Sequence, residues 1–225
     1  MTLIHNQMIR LASSLFALGL GIGALTGCET VYGSGRSETQ ERDVQAFTKV
    51  EVSAGLEAHV TQGATQSVVI TGDDNIVPTI STEVRNGVLF IEPAVDFDPR
   101  LPLEIEVVAP SLEGASLRAG GALWIDGLDA PTFELSCEAG GEVMASGHVD
   151  RLTVSLSAGG DIDAVDIDSP RVVLRGEAGG EMSVTATDRV EGHVESGATA
   201  RVFGDPEVRS VTTESGGEVE YVSTP

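Results

Sequence analysis

Ala119-Gly120-Gly121 decides the fold, because it returns as Ala139-Gly140-Gly141, Ala158-Gly159-Gly160 and Ala178-Gly179-Gly180, then loosened as Ser196-Gly197-Ala198 and Ser215-Gly216-Gly217. The first glycines stand at 120, 140, 159, 179, 197 and 216, so the spacing stays between 18 and 20 residues. A near-constant period of that size marks a solenoid, in which each repeat is one supersecondary unit stacked on the last. Between turns the apolar residues alternate. Leu152, Val154, Leu156 and Ala158 point inward, Ile162 and Ala164 resume the series after the glycines, and Ser169-Pro170 makes a second corner. Counted from the turn, Leu123, Val143, Ile162, Met182, Ala200 and Val219 fall on one vertical line. A β-sandwich would need hairpins between antiparallel strands, and its turns would not recur in phase with a ladder of identical corners. The pattern predicts an all-β chain, a single-stranded parallel β-helix with coils of about 19–20 residues.

Working toward the N-terminus, the alternation starts at Phe47 with Val50 and Val52, crosses Ser53-Ala54-Gly55, an early diverged copy of the turn, and continues through Leu56, Ala58 and Val60. Ser67–Thr71, Gly87–Ile91 and Leu103–Ala109 read as further strands, and Asp96–Pro102 as a loop holding two prolines. No stretch carries the 3.6-residue period of a helix over its needed length. Residues 29 to about 44 are Gly, Ser, Thr and charge, which reads as a flexible tether. The predicted organisation is thus a leader over 1–27, a tether over 28–44 and the β-helix over 45–225.

The leader has Arg10 and His5, an apolar run from Leu11 to Leu25, and then Leu25-Thr26-Gly27-Cys28. The run is short for a bilayer span, which needs about 20 residues. The ending resembles the bacterial lipobox, and that resemblance implies that Cys28 becomes the lipid-modified N-terminus. Glu29, where an inner-membrane retention signal usually places Asp, points to an outer-membrane lipoprotein. Once Cys28 is acylated only Cys137 remains, so the exported chain forms no internal disulfide. Cys137 is in phase with Phe133 and Leu135 and reads as a small buried hydrophobe.

Formal charge is −22, and the chain without its first 27 residues has 12 basic against 35 acidic side chains. Such a body is repelled by nucleic acid and by anionic head groups. Disorder is excluded as well, because 41% of residues are hydrophobic and they are regularly patterned.

From about Arg42 onward the chain resembles the head-GIN-domain family of auto-transporter adhesins. The carrying residues are Arg42-Asp43-Val44-Gln45-Ala46-Phe47-Thr48-Lys49-Val50-Glu51-Val52, the Gly87–Ile91 strand and the chain of Ala-Gly-Gly or Ser-Gly-Gly turns. The resemblance implies a right-handed β-helix on an exported bacterial protein and transfers no catalytic residue.

Acids flank the turns, and stacking at about 4.8 Å per coil would set Glu142, Asp161 and Glu181 in one carboxylate ladder. Oxygen ligands so spaced suit calcium. A solvated edge is the plainer reading, since two charges about 5 Å apart in water repel by only about 0.8 kcal/mol, salt screens that further, and no G-G-x-G-x-D calcium repeat is present. His59, His148 and His193 are dispersed, without a paired Cys or His at ligand spacing. Trp124, between inward Leu123 and Ile125, points outward, where a loop would cover it or an open indole would stack on a sugar ring.

Polysaccharide-cleaving β-helices gather acids or bases with cations in a groove, and no such gathering is visible. The sequence therefore predicts a non-enzymatic, lipid-anchored envelope protein, without an obligatory cofactor, that offers a rigid acidic surface to a protein or glycan. An enzyme acting on an envelope or extracellular polysaccharide, and a periplasmic structural partner of another envelope protein, are the alternatives.

Overall fold

The structure, a computed structural model, describes residues 30–222. Two β-sheets face each other across one apolar core. The first strands of the repeat pair with N-terminal ones. The N-terminal strands are β1 (Val31–Tyr32), β2 (Ser37–Glu41), β3 (Lys49–Ser53), β4 (Glu57–Gln62), β5 (Ser67–Asp73), β6 (Ile80–Arg85), β7 (Val88–Pro93), β8 (Phe97–Asp98) and β9 (Glu104–Ala109). The repeat follows as β10 (Gly114–Arg118), β11 (Ala122–Ala130), β12 (Phe133–Glu138), β13 (Glu142–Val149), β14 (Arg151–Leu156), β15 (Asp161–Ala164) with the short β16 (Ile167–Asp168), β17 (Arg171–Gly176), β18 (Glu181–Thr185), β19 (Arg189–Glu195), β20 (Thr199–Phe203), β21 (Val208–Glu214) and β22 (Glu218–Tyr221).

Each Ala-Gly-Gly or Ser-Gly-Gly turn carries the chain from one sheet to the other. One sheet runs β21-β19-β17-β14-β12-β10-β3-β7-β6, the other β2-β5-β9-β4-β11-β13-β15-β18-β20-β22. From β10 onward all pairs are parallel, which makes the repeat a β-solenoid of stacked coils. The vertical line read from the sequence is the register: Leu123 pairs with Val143, Val143 with Ile162, Ile162 with Met182, Met182 with Ala200, and Ala200 with Val219. The first four are fully buried, each removal from water stabilising by about 1.5–3 kcal/mol.

The two glycines of a turn are there for different reasons. The first (Gly120, Gly140, Gly159, Gly179) faces open space but has φ between 64° and 89°, a backbone region that L-residues avoid. The second is squeezed as well. A Cβ on Gly141 or Gly160 would stand 2.9 Å from the carbonyl oxygen of the preceding turn's second glycine, and one on Gly180 would stand 2.5 Å from it. Those same carbonyls accept the next coil's N–H groups, from Glu142 (3.1 Å), Asp161 (2.9 Å) and Glu181 (3.1 Å). The corner therefore stacks backbone on backbone.

The N-terminal third departs from the pure parallel pattern. β6 and β7 form an antiparallel hairpin around Asn86-Gly87, both at positive φ, and β2-β5-β9 is an antiparallel run at the same end of the other sheet. A stack of open strand edges needs such an end piece to stop further pairing. The stretch 28–44, expected to be a tether, is part of it from Val31 on. β1 pairs with β8, β2 pairs with β5, and the buried Asp73 carboxylate accepts N–H groups from Gly35, Arg100 and Leu101. Polar composition misled here because β2 is an edge strand, whose burial alternates only between exposed and intermediate.

Candidate functional site

Cys28 lies outside the described residues. The predicted carboxylate ladder is present: Glu142 pairs with Asp161, and Asp161 with Glu181. It is not an isolated column of acids. Arg201, two positions past Thr199 on the next strand, forms an ion pair with Glu181 and places its Nε 3.3 Å from Glu220 Oε2. Burial raises the Asp161 carboxyl pKa from its ordinary value, followed by Glu181, Glu142 and Asp163, while Arg201 opposes them. Among the described residues, the three acids or histidines whose ligand atoms all lie within 4.8 Å of one another are instead His193, Glu195 and Glu214.

Trp124 is half-buried, and no loop is needed to account for its cover. The indole stacks on the exposed His59 ring, with centroids 4.5 Å apart and planes 10° from parallel. The two residues are register partners on β11 and β4. Both stand four residues after the first glycine of their turn (Gly55 and Gly120). Met144 and Asp163 continue the same column.

Beside the indole, β11 bulges. Ile125 pairs with Ala145 and Leu128 with Gly147, so Asp126 and Gly127 together oppose Ser146. An extra residue of this kind bends the strand and re-aims a side chain. Here it turns Asp126 toward Ser146, whose hydroxyl donates to Asp126 Oδ1 at 2.8 Å. The result is a shallow cleft of about 190 Å³ lined by Trp124, Asp126, Met144, Ser146, Asp163 and Asp166 with the edges of Ile125 and Ala145. It has an aromatic face, one thioether, three carboxylates and no cation. Such a surface suits a neutral ligand that is flat on one side and rich in hydroxyl donors, and it repels an anion.

Cys137 is buried, and its Sγ lies 3.2 Å from the Gly140 carbonyl oxygen. Burial, helped by Asp161 and Glu138, pushes its thiol up to about 11, so it is not a nucleophile at neutral pH.

The family model described as "Putative auto-transporter adhesin, head GIN domain" matches residues 46–206. The chain belongs to that family. The head GIN domain is similar in fold to a putative adhesin from Bacteroides fragilis, at 18% identity and a TM-score of 0.67, covering 85% of this chain and 100% of that one. A putative lipid binding protein from Parabacteroides distasonis matches at 20% identity and a TM-score of 0.53, covering 86% of this chain and 100% of that one. A putative adhesin from Parabacteroides merdae matches at 15% identity and a TM-score of 0.54, covering 86% and 99%. At these identities the likeness is one of fold. No match was found among curated proteins.

Two parts of the candidate site carry little signal in the sequence of this head GIN domain. His59 was legible in principle, since the turn copy at Ser53-Ala54-Gly55 fixes its offset under Trp124. The bulge had no clear signal beyond Gly127 inside an otherwise alternating strand.

Proposed function

We propose that this head GIN domain is a non-catalytic, adhesin-like binding module of the bacterial envelope, and that its contact surface is the Trp124 cleft with a neutral glycan as ligand. The observation that carries this is the stacked His59–Trp124 pair beside a carboxylate-lined cleft. A pyranose ring presents an apolar C–H face to an indole and hydroxyl donors at its rim. His59 holds the indole in one orientation before binding, which lowers the ordering cost of association. Asp126, Asp163 and Asp166 accept hydroxyl protons and disfavour sulfated or uronic sugars.

A glycan array probed with wild type and Trp124→Ala tests this reading. Neutral hexose-containing glycans should bind wild type and lose at least about tenfold, or 1.4 kcal/mol, in the variant. Array binding confined to anionic glycans, or unchanged by Trp124→Ala, would remove the assignment.

The module is anchored through acylated Cys28 at the outer membrane, a reading supported by the lipobox-like Leu25-Thr26-Gly27-Cys28. Metabolic labelling with a clickable palmitate analogue should mark wild type and leave Cys28→Ala unmarked, and equal labelling of both would refute it.

A further inference from the structure

In the sheet that carries β19 and β21, several glutamates sit beside an arginine from another strand. Arg118 reaches Glu51 at 3.1 Å and Glu138 at 3.0 Å, and Arg151 reaches Glu191 at 3.3 Å. Glu195 and Glu214 are direct register partners on β19 and β21, and among the described residues neither forms an ion pair with Lys or Arg. What stands with them is His193, whose Nε2 lies 3.2 Å from Glu195 Oε2.

The imidazole is oriented from its other nitrogen. Thr212, the register partner of His193, has Oγ1 3.3 Å from the Gly192 carbonyl and 2.9 Å from His193 Nδ1. With the Thr212 hydroxyl donating to the Gly192 carbonyl, its oxygen accepts from Nδ1–H, the tautomer that frees Nε2 for a metal ion. In that neutral tautomer the Nε2 lone pair faces the Glu195 carboxylate oxygen 3.2 Å away, and a bound cation between them relieves the contact. A proton satisfies two acceptors. A metal ion satisfies all three, because one ligand atom from each of His193, Glu195 and Glu214 lies within 4.8 Å of the others. The 3.2 Å separation also matches the ~3.3 Å edge of a tetrahedron with metal–ligand bonds of about 2.0–2.2 Å.

We propose that His193, Glu195 and Glu214 form a divalent transition-metal site of the zinc type, with water completing the shell, that staples β19 to the edge strand β21. Imidazole nitrogen with two carboxylates selects zinc over calcium, which takes oxygen ligands. Thr212 is a positioning residue that fixes which nitrogen faces the ion. Arg175, the register partner of His193 on β17, is on the opposite side from Thr212 and Glu214 and pairs with neither glutamate. His148 shows the contrast, since it offers different nitrogens to Asp168 (3.2 Å) and Asp150 (3.7 Å) and cannot hold both on one ion. The staple falls where it is useful, because β21 is the least buried long strand of its sheet. It is independent of the glycan cleft and of any ligand bound there.

Titrating chelator-treated full-length protein with zinc chloride, by calorimetry, tests the proposal. Wild type should bind zinc at a site lost or weakened more than about tenfold in both His193→Ala and Glu214→Gln and retained in His148→Ala. Thr212→Val should weaken it roughly tenfold while the zinc-free melting temperature stays unchanged. An equal excess of calcium should not compete. Absence of zinc binding by wild type, binding unaltered in His193→Ala and Glu214→Gln, or displacement by calcium would each overturn it.

Discussion

At Asp161 burial comes first in raising the carboxyl pKa, with Glu181, Glu142 and Asp163 adding to it and Arg201 pulling the other way. A carboxyl whose folded pKa lies above its unfolded one stabilises the fold below the unfolded value, and that contribution is lost as pH rises through the folded value. At neutral pH Asp161 is therefore a small net cost. Asp161→Asn should raise the urea midpoint at pH 7 by the equivalent of about 0.5 kcal/mol, the scale of like charges opposed across a ladder at an exposed edge, and the gain should vanish near pH 3. A loss of stability at pH 7 would show that the ladder is held by something other than Arg201, and calcium would then be the first cation to test. The ladder itself was legible from the turn period alone. Arg201 was missed because its neutralising role depends on a register three strands long, although its offset of four from Gly197 matches that of Trp124 from Gly120.

At the scale of the coil, the weakened turn Ser196-Gly197-Ala198 has a structural cause. The inward column Leu117, Cys137, Leu156, Gly176, Val194 runs beneath the turns. Where the column holds a bulky side chain, the turn above must end in glycine. A Cβ on Gly141 would stand 2.6 Å from Leu117 Cδ2, one on Gly160 2.9 Å from Cys137 Sγ, and one on Gly180 2.8 Å from Leu156 Cδ2. Ala198 takes the next place because its backbone leaves the positive-φ region of Gly121, Gly141, Gly160 and Gly180 (80° to 100°) and because Gly176 leaves the room: a Cβ on Gly176 would lie 3.0 Å from Ala198 Cβ and 2.9 Å from Met182 Cε. Gly176→Leu should thus cost about 2 kcal/mol by overpacking, and the double variant Gly176→Leu/Ala198→Gly should recover a good part of it in denaturant melts. Additive or worsened loss would break the proposed exchange of bulk between column and corner. Sequence shows that residue 198 departs from the pattern, yet the compensating glycine sits 22 positions earlier and becomes its neighbour only through the coil geometry.

For the whole molecule, the N-terminal end is where sequence and structure part most. Period and alternation were enough for the solenoid from Gly114 on, because parallel stacking keeps one register through every coil. They mark β5, β7 and β9 as strands but not their antiparallel pairing with β2 and β6, nor the polar contacts that hold the end piece: the buried Asp73 carboxylate, Ser34 Oγ on Asp74, Asn75 Nδ2 on the Tyr32 carbonyl and Arg36 beside Asp74. Asn86-Gly87 was the visible signal for the β6–β7 hairpin, a dipeptide suited to two successive positive φ values. The Asp73 carboxyl is held below its ordinary value, first by the Leu101 N–H and further by Gly35 and Arg100, against the opposing effect of burial. A depressed carboxyl contributes stability above the unfolded pKa and loses it as pH falls through the folded one. Asp73→Ala should therefore release residues 30–41 at neutral pH, with trypsin cutting at Arg36 and Arg42 while the repeat stays intact, and wild type should become similarly sensitive to an acid-active protease only in strong acid. Equal resistance of the variant would show that the β1–β8 and β2–β5 pairing and the Asp74 and Asn75 contacts hold that segment without the Asp73 carboxylate.

At this scale the central claim is that the Trp124 cleft holds a neutral glycan and leaves it chemically intact. The most direct measurement incubates the full-length protein with the best neutral oligosaccharide from the array and follows binding and chain length in the same sample. The account predicts saturable binding that Trp124→Ala weakens at least about tenfold, with every glycan chain recovered at its starting length. Shortened chains, formed by wild type and abolished by Asp126→Asn or Asp163→Asn, would contradict it and make the cleft an active site.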